Sequence, residues 1–181
     1  GNVSNFVGSG IPSCSLCNAA AGAALNFDGI DDRITIGDLQ LLGSFTIELW
    51  VKPNEKFDFS TILSNKFGGA SNPGYTFSIN RFEGNGGQLV LGTQSEEAYT
   101  QENTITWGDW QHVAVTSNGS SAQFYVNGIE VPTIENGVSL ASSDVAAAIG
   151  DFGVYFGNGH FSGSMDELRV WDFAKSSSEI L

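Results

Sequence analysis

Five Asn-Gly dipeptides, at residues 85–86, 118–119, 127–128, 136–137 and 158–159, punctuate this chain. Asn-Gly supplies positive φ at both centres of a tight turn, so each one favours a reversal between two strands. The segments around them alternate. Leu25 and Phe27, Ile34 and Ile36, and Phe45, Ile47, Leu49 and Val51 put apolar side chains at every second residue, with Thr46, Glu48 and Lys52 opposite. Period two marks a half-buried strand. Further strand candidates are 60–65, 75–80, 88–93, 110–117, 122–127, 146–149 and 161–171. Short strands, frequent turn signals and no long amphipathic run predict an all-β fold, an antiparallel sandwich of two sheets. The one helix signal is terminal, where Ser176 and Glu179 have the spacing of a capping box.

With 181 residues the chain is one domain. Residues 1–22 are small and polar with neither periodicity, and read as a linker or lead-in; the domain is expected over 23–181. The lead-in carries Cys14 and Cys17, open between a short-loop disulfide and two thiols of a linker. Neither His112 nor His160 has the spacing to complete a zinc finger with them. Asn2 and Asn118 fit glycosylation sequons. Beginning at Gly1, with Met165 as its sole methionine, the sequence reads as a piece of a longer protein. A formal charge of −13 leaves no footprint for a phosphate backbone, so nucleic acid is not an expected partner. No apolar run approaches the roughly 18 residues of a membrane span, so membrane insertion is not expected either.

The order of several blocks carries a family resemblance: ALNFDGIDD at 24–32, SFTIELWVKP at 44–53, WQHVAVT at 110–116, YVNG at 125–128, and FSGSMDELRVW at 161–171. Together they resemble the laminin G-like, concanavalin A-like jelly-roll family over about residues 23–181. The resemblance implies a jelly roll of two curved antiparallel sheets, in agreement with the periodicity. Its members include carbohydrate-binding modules, adhesin modules, pentraxins and glucanases, so fold alone does not choose an activity.

The chain is not expected to be an enzyme. Retaining glucanases of this fold carry a Glu-x-Asp-x-x-Glu strand that sets two carboxylates on one face, and the sequence has none. Glu96, Glu97 and Glu102 read as an acidic exposed loop. Related lyases use Gln-x-His, but Gln111 and His112 are adjacent and alternate to opposite faces, which leaves His112 a structural residue beside Trp110. The sequence lacks the Glu-Gln-Asp run that carries the double-calcium cluster of pentraxins, which argues against their phosphate-ligand binding.

Calcium is the expected cofactor. Asp28, Asp31 and Asp32 pack three carboxylates into one turn, and calcium takes six to eight oxygens from carboxylates, carbonyls and water. The resemblance adds Asp166, the position at which laminarinase-like relatives hold a structural calcium from their final strand. Alternation with Leu168 and Val170 would point Asp166 inward.

The same resemblance implies a glycan or polysaccharide partner for a non-catalytic module of an extracellular or cell-surface protein. A protein ligand, or a spacer role in an adhesin, would satisfy the same motifs. Sugar binding needs exposed rings flanked by polar groups. Trp107, Tyr155, His160 and Tyr75 lie in Gly- and Asn-rich segments outside the family blocks and are the ligand-binding candidates. Trp50, Trp110 and Phe124 fall in the blocks and are expected in the core.

Overall fold

The computed structural model describes residues 4–5, 23–54, 60–68, 71–81, 86–152 and 159–180. The strands, in chain order, are β1 (Ser4–Asn5), β2 (Leu25–Asp28), β3 (Ile34–Gly37), β4 (Phe45–Pro53), β5 (Ser60–Ser64), β6 (Thr76–Ile79) and β7 (Leu89–Gly92). They continue as β8 (Glu97–Thr100), β9 (Gln111–Ser117), β10 (Ala122–Val126), β11 (Ile129–Val131), β12 (Thr133–Glu135), β13 (Ala147–Ile149) and β14 (Ser162–Trp171). A single 3₁₀ turn at Ser177–Glu179 follows, with the Glu179 carboxylate accepting the Ser176 N–H at 2.8 Å. No helix among the described residues is long and apolar enough to cross a membrane.

All pairings are antiparallel and fall into two sheets. Sheet A runs β1-β14-β4-β9-β10-β11, with β2 also on β14; sheet B runs β12-β8-β7-β6-β5-β13-β3. The two-sheet antiparallel sandwich expected from the alternation, a jelly roll by the family resemblance, is therefore the fold observed. Phe45, Ile47, Leu49 and Val51 of β4, with Val113, Val115 and Phe124, face Phe77, Ile79, Leu89 and Leu91 of sheet B in one buried core. Each such side chain contributes on the order of 1.5–3 kcal/mol by leaving water. The Asn127-Gly128 dipeptide behaves as its chemistry dictates: φ is 50° at Asn127 and 76° at Gly128, and Val126 pairs Ile129 across a two-residue turn.

Three differences from the sequence reading matter. The stretch around Glu97, expected as an exposed acidic loop, is strand β8: Ala98 and Thr100 are buried while Glu97 reaches out to Arg81 at 2.6 Å. Its inward residues are small or polar, so no apolar alternation marked it. Within the segment read as lead-in, Ser4 and Asn5 pair with Val170 and Arg169 of β14; the rest of that segment, with Cys14 and Cys17, lies outside the described residues. The third difference is in β14. Its register against β4 shifts between Asp166 and Arg169, and Glu167 there has φ 50°. That extra residue is a β-bulge, which resets which side chains face the core.

The outer face of sheet A is half covered by the C-terminal segment. Phe173 C=O accepts from Thr46 Oγ1 at 2.8 Å, Lys175 Nζ reaches Glu48 Oε1 at 2.6 Å, and Ile180 packs on Ala114 and Tyr125.

Candidate functional site

The strand directions collect several loops at one end of the sandwich. Asp28 pairs Ser162, Pro53 pairs Gly163, and Val51 pairs Gln111, so the ends of β2 and β4 and the starts of β14 and β9 share a rim. The Asn54 N–H donates to Ser162 C=O at 2.9 Å and the Gly108 N–H to Pro53 C=O at 2.8 Å, tying these loops together.

On this rim Asp28, Asp31 and Asp32 each offer a carboxylate oxygen, and these oxygens all lie within 4.8 Å of one another. The turn builds itself: Asp28 Oδ1 accepts the Ile30 N–H at 2.7 Å, and Asp32 Oδ2 accepts the Asp28 N–H at 2.8 Å. Gly29 is required between them. Its φ is +81°, and a Cβ there would sit 2.9 Å from the Ser162 Cβ. Three hard oxygen donors without nitrogen or sulfur suit calcium and not zinc, and each oxygen held by an amide keeps a second lone pair for an ion.

Asp166 is not brought to this trio. It lies four residues along β14 from Ser162, the partner of Asp28, a strand distance on the order of 13 Å. The expected inward orientation does not hold either: Asp166 pairs Trp50 and shares the outer face of sheet A, while Leu168 is buried. The bulge at Glu167 separates the two faces that simple alternation had merged.

Beside the trio, Asp151 is buried with its side chain 4% exposed, 3.5 Å from Arg33 Nη1 and 3.6 Å from His160 Nδ1. His160 thus faces a carboxylate at the rim, with 15% of its side chain exposed. Tyr155 lies outside the described residues.

The rings divide differently from expectation. Tyr75 is at the opposite end and 1% exposed, its OH donating to Leu39 C=O at 3.2 Å and its phenol pushed above its ordinary pKa by burial. It plugs the core and cannot stack on a ligand. Trp107 is half-buried and packs against the core. Trp110, expected in the core, is 43% exposed. The reason is local: Gln111, not Trp110, turns inward, its side chain accepting the Thr106 N–H at 3.0 Å and closing the 106–111 turn. Phe124 is buried as expected, and His112 packs edge-on against Trp50, 5.6 Å between ring centres, instead of against Trp110.

A two-sheet jelly roll with its loops gathered at one rim is matched by one family model, that of the concanavalin A-like lectin/glucanases superfamily, over residues 28–181. The chain belongs to this family. No curated protein matches it. Among solved structures it is similar to domain 4 of AbnA, an extracellular arabinanase of Geobacillus stearothermophilus solved with arabinotriose. That likeness has 21% identity, covers 99% of this chain and 80% of that one, and has a TM-score of 0.63. It is also similar to the CBM40 of a Ruminococcus gnavus IT-sialidase, at 14% identity, 87% and 94% coverage and a TM-score of 0.66. A SAP-like pentraxin of Limulus polyphemus matches at 23% identity, 86% and 78% coverage and a TM-score of 0.60. At these identities the likeness establishes the fold.

In this concanavalin A-like domain Asp28, Asp31 and Asp32 form one tight trio at the rim, beside the buried Asp151, and two of the three hold their own turn through backbone amides. Glycoside hydrolysis uses two carboxylates flanking the scissile bond, about 5–5.5 Å apart for an acid and a nucleophile and about 6.5–9.5 Å for an acid and a base that activates water. Ligation of a cation, or acceptance of sugar hydroxyls, is the chemistry the trio supports.

Proposed function

We propose that this domain is a non-catalytic carbohydrate-binding module of a larger extracellular protein, with a structural calcium ion held by Asp28, Asp31 and Asp32. The observation that carries the reading is Trp110, a large ring left in water at the loop end of a concanavalin A-like sandwich whose buried core already holds Tyr75 and Phe124. Trp110 is 43% exposed, which leaves part of the indole open to a partner, and an indole stacks well on the C–H face of a sugar. The similar structures solved with arabinotriose and sialyllactose support a glycan as the class of partner, and the arabinanase's extracellular location supports the compartment. The calcium would close the turn after β2 by holding its three carboxylates together.

A glycan array probed in millimolar calcium and in chelator tests this directly. Retention on at least one glycan class, lost with Trp110→Ala in a domain that melts normally, is the expected result. A protein that retains nothing in either condition refutes the reading.

A further inference from the structure

The outer face of sheet A has two halves. One is covered by the C-terminal segment through Phe173, Lys175 and Ile180. The other half, toward the loop rim, is a grid fixed by strand register. Asn26 pairs Ser164, Ser164 pairs Lys52, and in the next row Asp166 pairs Trp50, which pairs His112. One step beyond the Val51–Gln111 pair, the register and the alternation of β9 place Trp110 beside Lys52 on the same face. Trp110 and Trp50 are then diagonal neighbours, about 7–8 Å apart at the backbone.

This half-face has the chemistry of a sugar platform. Trp50 is half-buried and braced edge-on by the His112 ring, so its position is fixed without a ligand. Around the two indoles stand an ammonium at Lys52, the Asn26 amide donating to Ser164 Oγ at 3.1 Å, and the Asp166 carboxylate. Asp166 Oδ1 accepts the Glu167 N–H at 2.8 Å, and no hydrogen bond among the described residues engages Oδ2. The bulge that turns Asp166 outward is what supplies an acceptor next to a ring. His112 is itself 1% exposed, so it serves this face as the brace beside Trp50 and not as a contact to a ligand.

We infer that this half-face, with Trp50 and Trp110 as its two stacking rings and Asp166, Ser164 and Lys52 as its polar contacts, binds a neutral pyranose chain lying along the sheet. Two rings on one flat surface favour two sugar units of a chain over a single terminal sugar, and the mixed signs of Asp166 and Lys52 favour hydroxyl groups over a charged substituent. The inference rests on the carbohydrate-binding reading and gives it a surface and a ligand class.

Titration calorimetry with cello-, xylo-, manno- and laminari-hexaose, and with the matching monosaccharides, tests it. At least one hexaose should bind, with its monosaccharide much weaker. Trp110→Ala and Trp50→Leu should each weaken that hexaose by about tenfold or more, and Asp166→Ala by several-fold, while Ile134→Ala, exposed on strand β12 of sheet B, leaves it unchanged. Trp110 and Asp166 are exposed or half-exposed, so their variants should keep the parent melting midpoint even if Trp50→Leu does not. Undiminished hexaose binding by Trp110→Ala and Asp166→Ala overturns the platform and leaves the module reading standing. No binding by any hexaose overturns the platform; retention of a different glycan on the array then separates that failure from failure of the module reading.

Discussion

Replacing Lys175 by Met should be the most destabilising single change in the C-terminal segment. Glu48 sits in the middle of β4 with its side chain 2% exposed, and Lys175, itself 11% exposed, is the cation beside it at 2.6 Å. The Trp171 indole N–H adds a hydrogen bond to the same Oε1 at 3.0 Å, while Oε2 has no partner. Lys175 Nζ also lies 4.4 Å from the Trp171 ring centre, so its position is held from two sides. Breaking a buried ion pair by removing one partner costs about 3–5 kcal/mol, because the remaining charge is stranded. In a domain of this size about 1 kcal/mol moves the midpoint by roughly 2–4 °C, which gives a fall of about 6–20 °C for Lys175→Met. Met keeps most of the lysine stem, so packing loss is small and the stranded carboxylate dominates. The double variant Glu48→Gln with Lys175→Met removes that charge and should recover at least about 2 kcal/mol of the loss. Urea unfolding of the four proteins, followed by tryptophan fluorescence, closes the cycle. A loss below about 1 kcal/mol for Lys175→Met, or a double variant no more stable than it, would show that Glu48 is solvated or neutral without its lysine, and the reasoning would fail.

Burial holds the His112 imidazole below its ordinary pKa of 6.5, so the unfolded chain accepts a proton that the folded one resists. Stability from this group is complete above about pH 6.5 and falls as pH drops below it; His112→Gln should flatten that part of the melting curve against pH, and an unchanged slope contradicts the assignment. Gly163 has φ +132° with a Cβ position 2.3 Å from the Lys52 carbonyl oxygen, so Gly163→Ala should cost about 2–4 kcal/mol in urea unfolding. Excess calcium over chelator should raise the melting midpoint, by the equivalent of about 2.7 kcal/mol at one hundred times Kd. Asp32→Ala should abolish that rise and Asp166→Ala should not; a rise retained by the first, or lost with the second, moves the ion elsewhere.

What the sequence made legible follows from where apolar residues alternate with polar or small ones along a strand. β4, β9 and β10 bury one apolar face against the opposite sheet, and their alternation shows it. β8 was hidden because its inward residues, Ala98 and Thr100, are not recognisably apolar, and β11 and β12 because their three residues each are too short for a period to register. The acidic turn was visible because all three carboxylates lie within five residues and a glycine sets their geometry. The rings were harder. Exposure of Trp110 and burial of Tyr75 depend on which neighbour turns inward, Gln111 in one case and Asn65 accepting the Tyr75 N–H at 2.9 Å in the other. Neither contact has a signature in the order of residues.

Asp166 shows the same limit acting on function. Strict period two ties Asp166 to Leu168 and Val170, and one inserted residue at positive φ breaks that tie. Leu168 and Val170 remain in the core while Asp166 moves to the opposite face beside Trp50. Bulges are rarely marked by glycine when, as at Glu167, the residue that adopts the left-handed conformation carries a side chain that finds its own partner: Glu167 Oε2 accepts from Arg169 at 2.6 Å. That pair is exposed and adds little to stability; what the left-handed residue achieves is to put the Asp166 carboxylate next to the Trp50 ring, among the Ser164 hydroxyl, the Asn26 amide and the Lys52 ammonium.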